Sequence, residues 1–551
     1  MRTAAIACIV PGLAALVSCS SHSPHTGSDN AADGSGAAGW TSAAGAPAAA
    51  GAAMMGAGGN TSLGAAASSG GGTDLGGAGG APAVGSSFPG GPGTAGSGGS
   101  TGSGGSTAGQ VGSGGANGGS SAGADAGISP ADGGGVPTVG VDGGSGTCGG
   151  GAAQSSDVTI DVSNLQQRIT GFGCSSAWAG DLNDAANDPD TLWSTTKGAG
   201  LTLLRIRYGD GLGVAKAAAR YGVTVWMTPW GTGPNGSPGG PDTTTQNNPN
   251  GCSGSMPVLT NGQDLANTLV SWVQNAKSQG VPIYAVSAEN EPDSCGINQT
   301  TSYSPTQLAT WIGSYLGPAM DNIGVKVMAP ETMNACGFSG YFSAIQNDSS
   351  AWNNVSIFAS HEYGCGTQHS EPSIAAAGKE YWETEVDTGA VNGDKDGMPS
   401  ALHLAQTIHD DLTKANLNAF HYWWLWAGGT SGLYDTDTKV WRKALWVMGN
   451  FSRFARPGFV RVSTSGTPPA GVAVSAYINP SNSALVIVAI NSNTSSTGLP
   501  LYISGSPPCT LIPWETSASK NLVQGSDITV ANGRVSTTLT GQSVTTFVGM
   551  P

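Results

Sequence analysis

Apolar positions along this chain recur with two periods, and they do so only from about residue 157 onward. Short apolar or alternating runs predict eight strands, near residues 169–173, 201–207, 223–229, 283–287, 325–329, 355–360, 380–384 and 419–424. Helical spacing fills the intervals. Leu265, Leu269, Val270, Trp272, Val273 and Ala276 fall on one helical face, and Ser304 followed by Pro305 reads as an N-cap with proline at the first helical position. Eight strand-then-helix units in about 290 residues match the count and size of a (β/α)8 TIM barrel, an α/β fold. A doubly wound open sheet is the alternative, but no glycine-rich phosphate loop with a following acid supports it.

Beyond Pro457 the helical period disappears. Alternating runs at 472–477, 484–490 and 535–548, separated by Asn, Ser and Gly turns, predict an attached antiparallel β-sandwich side domain. The strand-like run 158–162 precedes the barrel without a partner there, so it is expected to join the sandwich and fasten the two domains.

Composition separates this organised part from what precedes it. Of 551 residues 89 are Gly and only 10% are charged, so much of the length has no means of building a core. Residues 20–155 are mostly Gly, Ala, Ser and Thr without a Lys or Arg, and read as a disordered tether with a root-mean-square reach on the order of 60–70 Å. Met1-Arg2, an apolar run and Leu16-Val17-Ser18-Cys19 have the plan of a secretory signal. With Cys19 in that place the segment resembles a bacterial lipobox, which implies cleavage before Cys19 and lipid on its thiol. The predicted order is a signal at 1–18, a lipidated tether at 19–155, a sandwich strand at 156–167, the barrel at 168–457 and the sandwich at 458–551. The expected address is the bacterial cell surface or outer membrane through a lipid anchor, with plain secretion as the alternative.

Nine cysteines become seven after the signal and Cys19 are set aside: Cys148, Cys174, Cys252, Cys295, Cys336, Cys365 and Cys509. An exported chain favours disulfides, an odd set leaves at least one thiol over, and the pairing is open. No CxxC pair or histidine cluster has zinc spacing, so no metal is expected, nor an organic cofactor. A net charge of -15 without a basic patch argues against nucleic acid. With 15 Trp and 12 Tyr, several beside glycine or proline, aromatic surfaces for sugar rings are one reading and core packing the other. The chain is read as a monomer.

Candidate chemistry sits at two strand ends. In Ala285-Val286-Ser287-Ala288-Glu289-Asn290-Glu291-Pro292 the proline ends an apolar strand and leaves Glu291 at its C-terminal rim, where barrels of this kind meet substrates. A surface glutamate beside a turn is the plainer reading. A second strand ends in an acid as well, at Glu380-Tyr381-Trp382-Glu383-Thr384-Glu385, and two such ends of one barrel can bring carboxyl groups together. Residue types alone do not separate Glu291 and Glu385 from Glu289, Glu331, Glu362 and Glu383.

Seven motifs in order make the chain recognisable from about Thr159 to its end. They are Gly171-Phe172-Gly173, Ala177-Trp178 through Leu182, Leu204-Arg205-Ile206-Arg207, Asn290-Glu291-Pro292, Trp382-Glu383-Thr384-Glu385, Ser452 through Arg461, and Ser543 through Phe547. Together they resemble glycoside hydrolase family 30, most closely its bacterial xylanase subfamily, subfamily 8. The resemblance implies a retaining mechanism with Glu291 as acid/base and Glu385 as nucleophile, and Arg205 matches a family arginine that supports the nucleophile. Trp178, Trp230, Asn290, His361, Tyr363, Trp424, Trp426 and Tyr434 stand at or just after strand ends and are candidate substrate contacts, with rim packing as the alternative for each aromatic.

Three departures qualify the resemblance. Glu289 stands where the family usually has Gln, and Glu383 where it has an apolar residue; period-two geometry aims each toward the side of its catalytic neighbour, predicting an unusually acidic site whose acids are either hydrogen-bonded or raised in pKa. The third departure is in Trp423 through Gly432, the loop after the eighth strand, where glucuronoxylan-cleaving members carry arginines that clamp a glucuronate and this stretch has none. The segment Tyr208 to Gly213 is also short. The expectation is a surface-tethered endo-β-1,4-xylanase that does not require glucuronate. Alternatives are a glucuronoxylan-specific xylanase, a β-1,6-galactanase or glucanase of the same family, and, in another class, a carbohydrate-binding surface lipoprotein with little catalysis.

Overall fold

The computed structural model describes residues 148–178, 188–230, 262–294, 302–429 and 431–550. The signal, Cys19, Cys252, Cys295 and most of the predicted tether lie outside the described residues. Strand β1 (Val158–Arg168) comes first, and eight strands then close a barrel: β2 (Gly171–Ser175), β3 (Leu203–Arg207), β4 (Thr224–Thr228), β5 (Ile283–Ser287), β6 (Lys326–Thr332), β7 (Val355–Ser360), β8 (Glu380–Glu383) and β9 (Ala419–Trp424). All eight pair in parallel, as a strand-helix alternation requires. Three of the predicted strands have the observed ends, and the others differ by at most three residues, because parallel-barrel strands are buried on both faces and stand out as apolar runs.

Alternation along each strand sorts side chains into two cores. Leu203, Trp226, Ala285, Met328, Ile357, Ala359, Trp382 and Ala419 fill the interior, two large indoles set among small alanines. Leu204, Ile206, Val225, Met227 and Phe420 face the helices. Helix Gly262–Ser278 buries Leu265, Leu269, Val273 and Ala276, the predicted face. Helix Pro305–Trp311 opens on a capping box between Ser304 and Gln307. Among the described residues no helix is long and apolar enough to cross a membrane.

The interior of the barrel holds a buried histidine. Trp226 donates its indole N–H to His421 Nε2 at 3.0 Å, and His421 Nδ1 lies 2.9 Å from the carbonyl of Glu383. Burial pushes His421 down to about 3, so the ring is neutral and Nδ1 carries the proton. Trp382 stacks on the same imidazole, with centroids 5.7 Å apart.

After the barrel a small sheet forms from β10 (Trp426–Ala427), β11 (Tyr434–Asp435) and β12 (Val440–Trp441). The C-terminal strands are β13 (Val460–Ser465), β14 (Val472–Ile478), β15 (Leu485–Asn491), β16 (Thr497–Ser504), β17 (Thr510–Ser517), β18 (Lys520–Gln524), β19 (Ile528–Thr529), β20 (Arg534–Leu539) and β21 (Ser543–Gly549). They form one continuous sheet with β1 between β13 and β16, curled around its own core of Val158, Ile160, Val462, Ile487, Leu501 and Phe547 among others. One pairing departs from the antiparallel expectation: β1 runs parallel to β16, because β1 enters from the other end of the chain and no hairpin fixes its direction. Alternate residues of β15, Val486, Val488 and Ile490, face the barrel's helices instead, so this strand is buried on both sides.

Cys148 forms a disulfide with Cys509, and Tyr502 donates to the carbonyl of Gly151 at 2.7 Å. Residues 148–155, read from composition as the end of the tether, are therefore held against the sheet. Cys336 pairs with Cys365, and Cys174 is a buried free thiol.

The short motif Gly171-Phe172-Gly173 has a packing reason. A Cβ at Gly173 would lie 2.4 Å from the carbonyl oxygen of Leu203 and 2.7 Å from its Cβ, on a backbone held by both neighbouring strands. Gly173→Ala is expected to destabilise the fold by about 2 kcal/mol or more in urea unfolding, and an unchanged midpoint would show that β2 can move away from β3.

Candidate active site

Five strand ends bring their charged side chains to one point. Arg205 reaches up from β3, Glu291 follows β5, Glu331 lies in β6, His361 follows β7 and Glu385 follows β8; all five are buried. Arg205 is the hub. Its Nη1 is hydrogen-bonded to Glu385 Oε2, its Nη2 lies 2.6 Å from Glu331 Oε1 and donates to Asn290 Oδ1 at 2.7 Å, and its Nε donates to Thr228 Oγ1 at 3.2 Å. Trp230 covers the guanidinium at 4.2 Å, which leaves a desolvated cation with a partner on each of its nitrogens.

His361 stands between the two acids of the sequence prediction. Its Nδ1 is 3.1 Å from Glu291 Oε1, and its Nε2 is 3.4 Å from Glu331 Oε1 and 3.8 Å from Glu385 Oε2. Burial alone would lower its pKa, yet Glu385, Glu291 and Glu331 together raise it to about 10, so the ring is an imidazolium. Tyr363, two residues on, donates to Glu385 Oε1 at 3.1 Å. The disulfide between Cys336 and Cys365 ties down the loop that carries both residues.

A carboxylate oxygen of Glu291 and one of Glu385 lie within 4.8 Å of each other, with a His361 nitrogen within the same distance of both. These three are the one group among the described residues with the proximity of a metal site. Both imidazole nitrogens already face carboxylates and Arg205 occupies Glu385, so the geometry assigns them to hydrogen bonding rather than to metal ligation. Burial raises Glu385 above its ordinary value, with His361 and Arg205 pulling it down and Glu291 adding to the rise. Glu291 has a left-handed backbone, φ 45°, and its N–H donates to the carbonyl of Glu331 at 2.9 Å.

The aromatic candidates divide. Trp178, exposed at the rim, meets Trp230 at 5.1 Å and Trp423 at 6.2 Å, and Trp423 stacks on Trp424 at 5.3 Å. Trp424 also donates its indole N–H to the carbonyl of Ala177. Trp426 and Tyr434 instead pair as strands of the small sheet, where the Tyr434 ring packs on Trp441. Trp423 was missed from the sequence. Alternation onward from the interior positions Ala419 and His421 reaches Trp423, not Trp424, and that signal would have found it.

The acidic departures do not join the pair. Trp382 occupies the barrel interior, so Glu383 lies on the opposite face of β8, where its carboxylate accepts the N–H of Glu385 at 2.7 Å and of His421 at 3.0 Å. The chain leaves β8 after Glu383, which breaks the two-residue period and turns Glu385 into the mouth. Glu289 is fully buried near Tyr303, whose hydroxyl is pushed up by burial and by that carboxyl.

No family model matches the chain. Glucuronoxylanase XynC of Bacillus subtilis (strain 168) is 30% identical over 411 residues, 72% of this chain and 92% of that protein. Two solved structures cover 72% of this chain and 100% of their own. One is a GH30 endoxylanase from Clostridium papyrosolvens C71, 29% identical with a TM-score of 0.62. The other is the glycoside hydrolase family 30 subfamily 8 xylanase Xyn30A from Clostridium acetobutylicum, 31% identical with a TM-score of 0.63.

Behind Glu385 the fold buries further acids. Burial, with Glu362 and Glu383 nearby, raises Asp411 well above the carboxylate range; Glu383 is raised likewise, and Glu362 is pushed up to about 7. Unfolded carboxyls ionise near pH 4, so above that the native state keeps protons the unfolded chain has lost, and stability declines as pH rises toward and past 7. Asp411→Asn is expected to melt about 2 °C or more above the parent protein at pH 8, with a smaller gap at pH 5. An equal gap at both values would mean that the carboxyl is ionised in the fold.

Proposed function

The chain belongs to glycoside hydrolase family 30, and from that membership we propose that it is a retaining endo-β-1,4-xylanase acting through Glu291 and Glu385. The observation that carries the mechanism is the approach of the two carboxylates to within 4.8 Å. Retaining glycosidases hold their carboxyl groups about 5–5.5 Å apart, whereas inverting ones leave about 6.5–9.5 Å for a water.

Glu385 accepts from Arg205 and Tyr363, donors that favour its ionised form, and is the nucleophile that attacks the anomeric carbon. Glu291, protonated, releases the leaving sugar by giving its proton to the glycosidic oxygen; the resulting carboxylate then takes a proton from the water that breaks the glycosyl-enzyme ester. Asn290 holds Arg205 in line with Glu385. Trp178, Trp423 and Trp424 line the rim as apolar faces for sugar rings, backed by the buried Trp230.

Glucuronate is not required in this reading. Two cations beside the loop after β9, Arg442 and Lys395, are already engaged by the protein itself. Arg442 donates to the carbonyls of Gly429, Ser431 and Gly432 and to Asp396, and pairs with Asp435 at 3.1 Å. Lys395 pairs with Asp435 at 3.1 Å and donates to Gly429. Neither is left to clamp a sugar carboxylate. The opposite reading, dependence on glucuronate, draws on the name of the Bacillus relative. Export and lipid attachment at Cys19 belong to the proposal as well, and place the polysaccharide outside the cell; the enzyme is taken to work as a monomer.

Digestion of linear xylan and of glucuronoxylan by the mature chain tests both readings. Comparable cleavage of the two, with loss of about 10²–10⁴-fold in kcat for Glu291→Ala, is expected. Cleavage of glucuronoxylan alone would establish the clamp elsewhere, activity only on a β-1,6-galactan or glucan would change the substrate, and binding without hydrolysis would make the chain a carbohydrate-binding lipoprotein.

A further inference from the structure

Glu331 is a third buried acid at the site, and its surroundings differ from those of the hydrolytic pair. Its side chain has no exposed surface, whereas those of Glu291 and Glu385 retain 8% and 7%. It therefore faces other protein groups rather than the substrate. One oxygen lies 2.6 Å from Arg205 Nη2 and 3.4 Å from His361 Nε2, and Thr228 donates to the other at 3.2 Å. Its backbone, left-handed at φ 60°, offers its carbonyl to the N–H of Glu291.

We propose that Glu331 is a positioning residue for glycoside hydrolysis, fixing His361 between Glu291 and Glu385 and Arg205 against Glu385. The proposal rests on the retaining reading. The two charged partners of Glu331 touch the acids of the pair, Arg205 at Glu385 and His361 at both, so a single carboxylate organises both halves of the reaction. Burial favours its neutral form, but Arg205 and His361 outweigh burial and lower its pKa, so it stays an anion. Around His361 stand Glu291, Glu331 and Glu385 with Tyr363, and Asp293, Glu383, Arg205 and the neutral His421 also act on it or feel its charge. Glu383 is raised well above the carboxylate range and Asp293 only to about 6, so Asp293 is a second anion at neutral pH; Glu331 is the one within hydrogen-bond reach of His361 that takes no part in bond making.

Removing that charge has a definite sign. Glu331→Gln keeps the size and an acceptor oxygen but withdraws an anion from the imidazolium, so the pKa of His361 falls. With histidine isotope labelling, and the resonance assigned against His361→Asn, wild-type His361 is expected to stay protonated at pH 8. In Glu331→Gln it is expected to titrate at least about one unit lower, with kcat on a xylo-oligosaccharide reduced about 10²-fold and KM little changed. Glu331→Asp, which keeps the charge, is expected to restore the high titration and part of kcat. An unchanged titration in Glu331→Gln, or kcat within about threefold of wild type, overturns the proposal. So does a wild-type His361 that titrates below pH 7, a result that needs no variant. The titration does not depend on substrate, so a chain inactive on xylan would defeat the functional reading without touching this one.

Discussion

Charge balance in a dry site is the constraint on which the rest of the structure depends. Three carboxyl groups, Glu291, Glu331 and Glu385, share a buried pocket with two cations, Arg205 and the His361 imidazolium. With all three ionised the group carries an excess of one negative charge, and with one proton on the pair it is neutral. Burial penalises net charge, so the fold itself favours the singly protonated pair. That is the state a retaining glycosidase needs at the start of its reaction. Each contact of Arg205 and His361 serves this balance, since losing either cation would leave carboxylates buried without compensation.

The barrel makes the balance geometrically exact to within hydrogen-bond distances. Interior packing of Trp226 and Trp382 around a neutral His421 forms a rigid floor beneath the charges. Above it, Glu291, His361 and Glu385 follow the C-terminal ends of β5, β7 and β8 of one closed parallel barrel, which brings them to the same mouth. The backbone contributes too: Glu331 receives the N–H of Glu291, and Glu383 receives that of Glu385, so each acid of the pair is held through its main chain by another acid outside it. Site precision of this kind comes from elements and their second contacts more than from the reacting groups themselves.

Much of this was legible in the sequence. Parallel strands buried on both faces announced themselves as apolar runs, and the motifs around Arg205, Asn290, Glu291 and Glu385 located residues that the structure brings into contact. What period-two alternation could not foresee was where a strand stops. It sent Glu383 to the mouth, whereas β8 ends at that residue and the interior position belongs to Trp382. Composition misjudged 148–155, because a glycine-rich stretch can be pinned by one disulfide and one tyrosine hydrogen bond. Arg442 lies outside the loop it fills, so no reading of that loop alone reveals that its carbonyls are already occupied by a guanidinium.

Covalent trapping examines the central claim most directly. The mature chain would be treated with an activated xylobioside fluorinated beside the anomeric carbon, which slows release of a glycosyl-enzyme, and the labelled peptide would be identified by mass spectrometry. A single adduct on Glu385 is expected, formed by the wild type and absent after Glu385→Gln. An adduct on Glu291 or Glu331, or turnover of xylan to the inverted anomer with no adduct at all, would contradict hydrolysis by this pair.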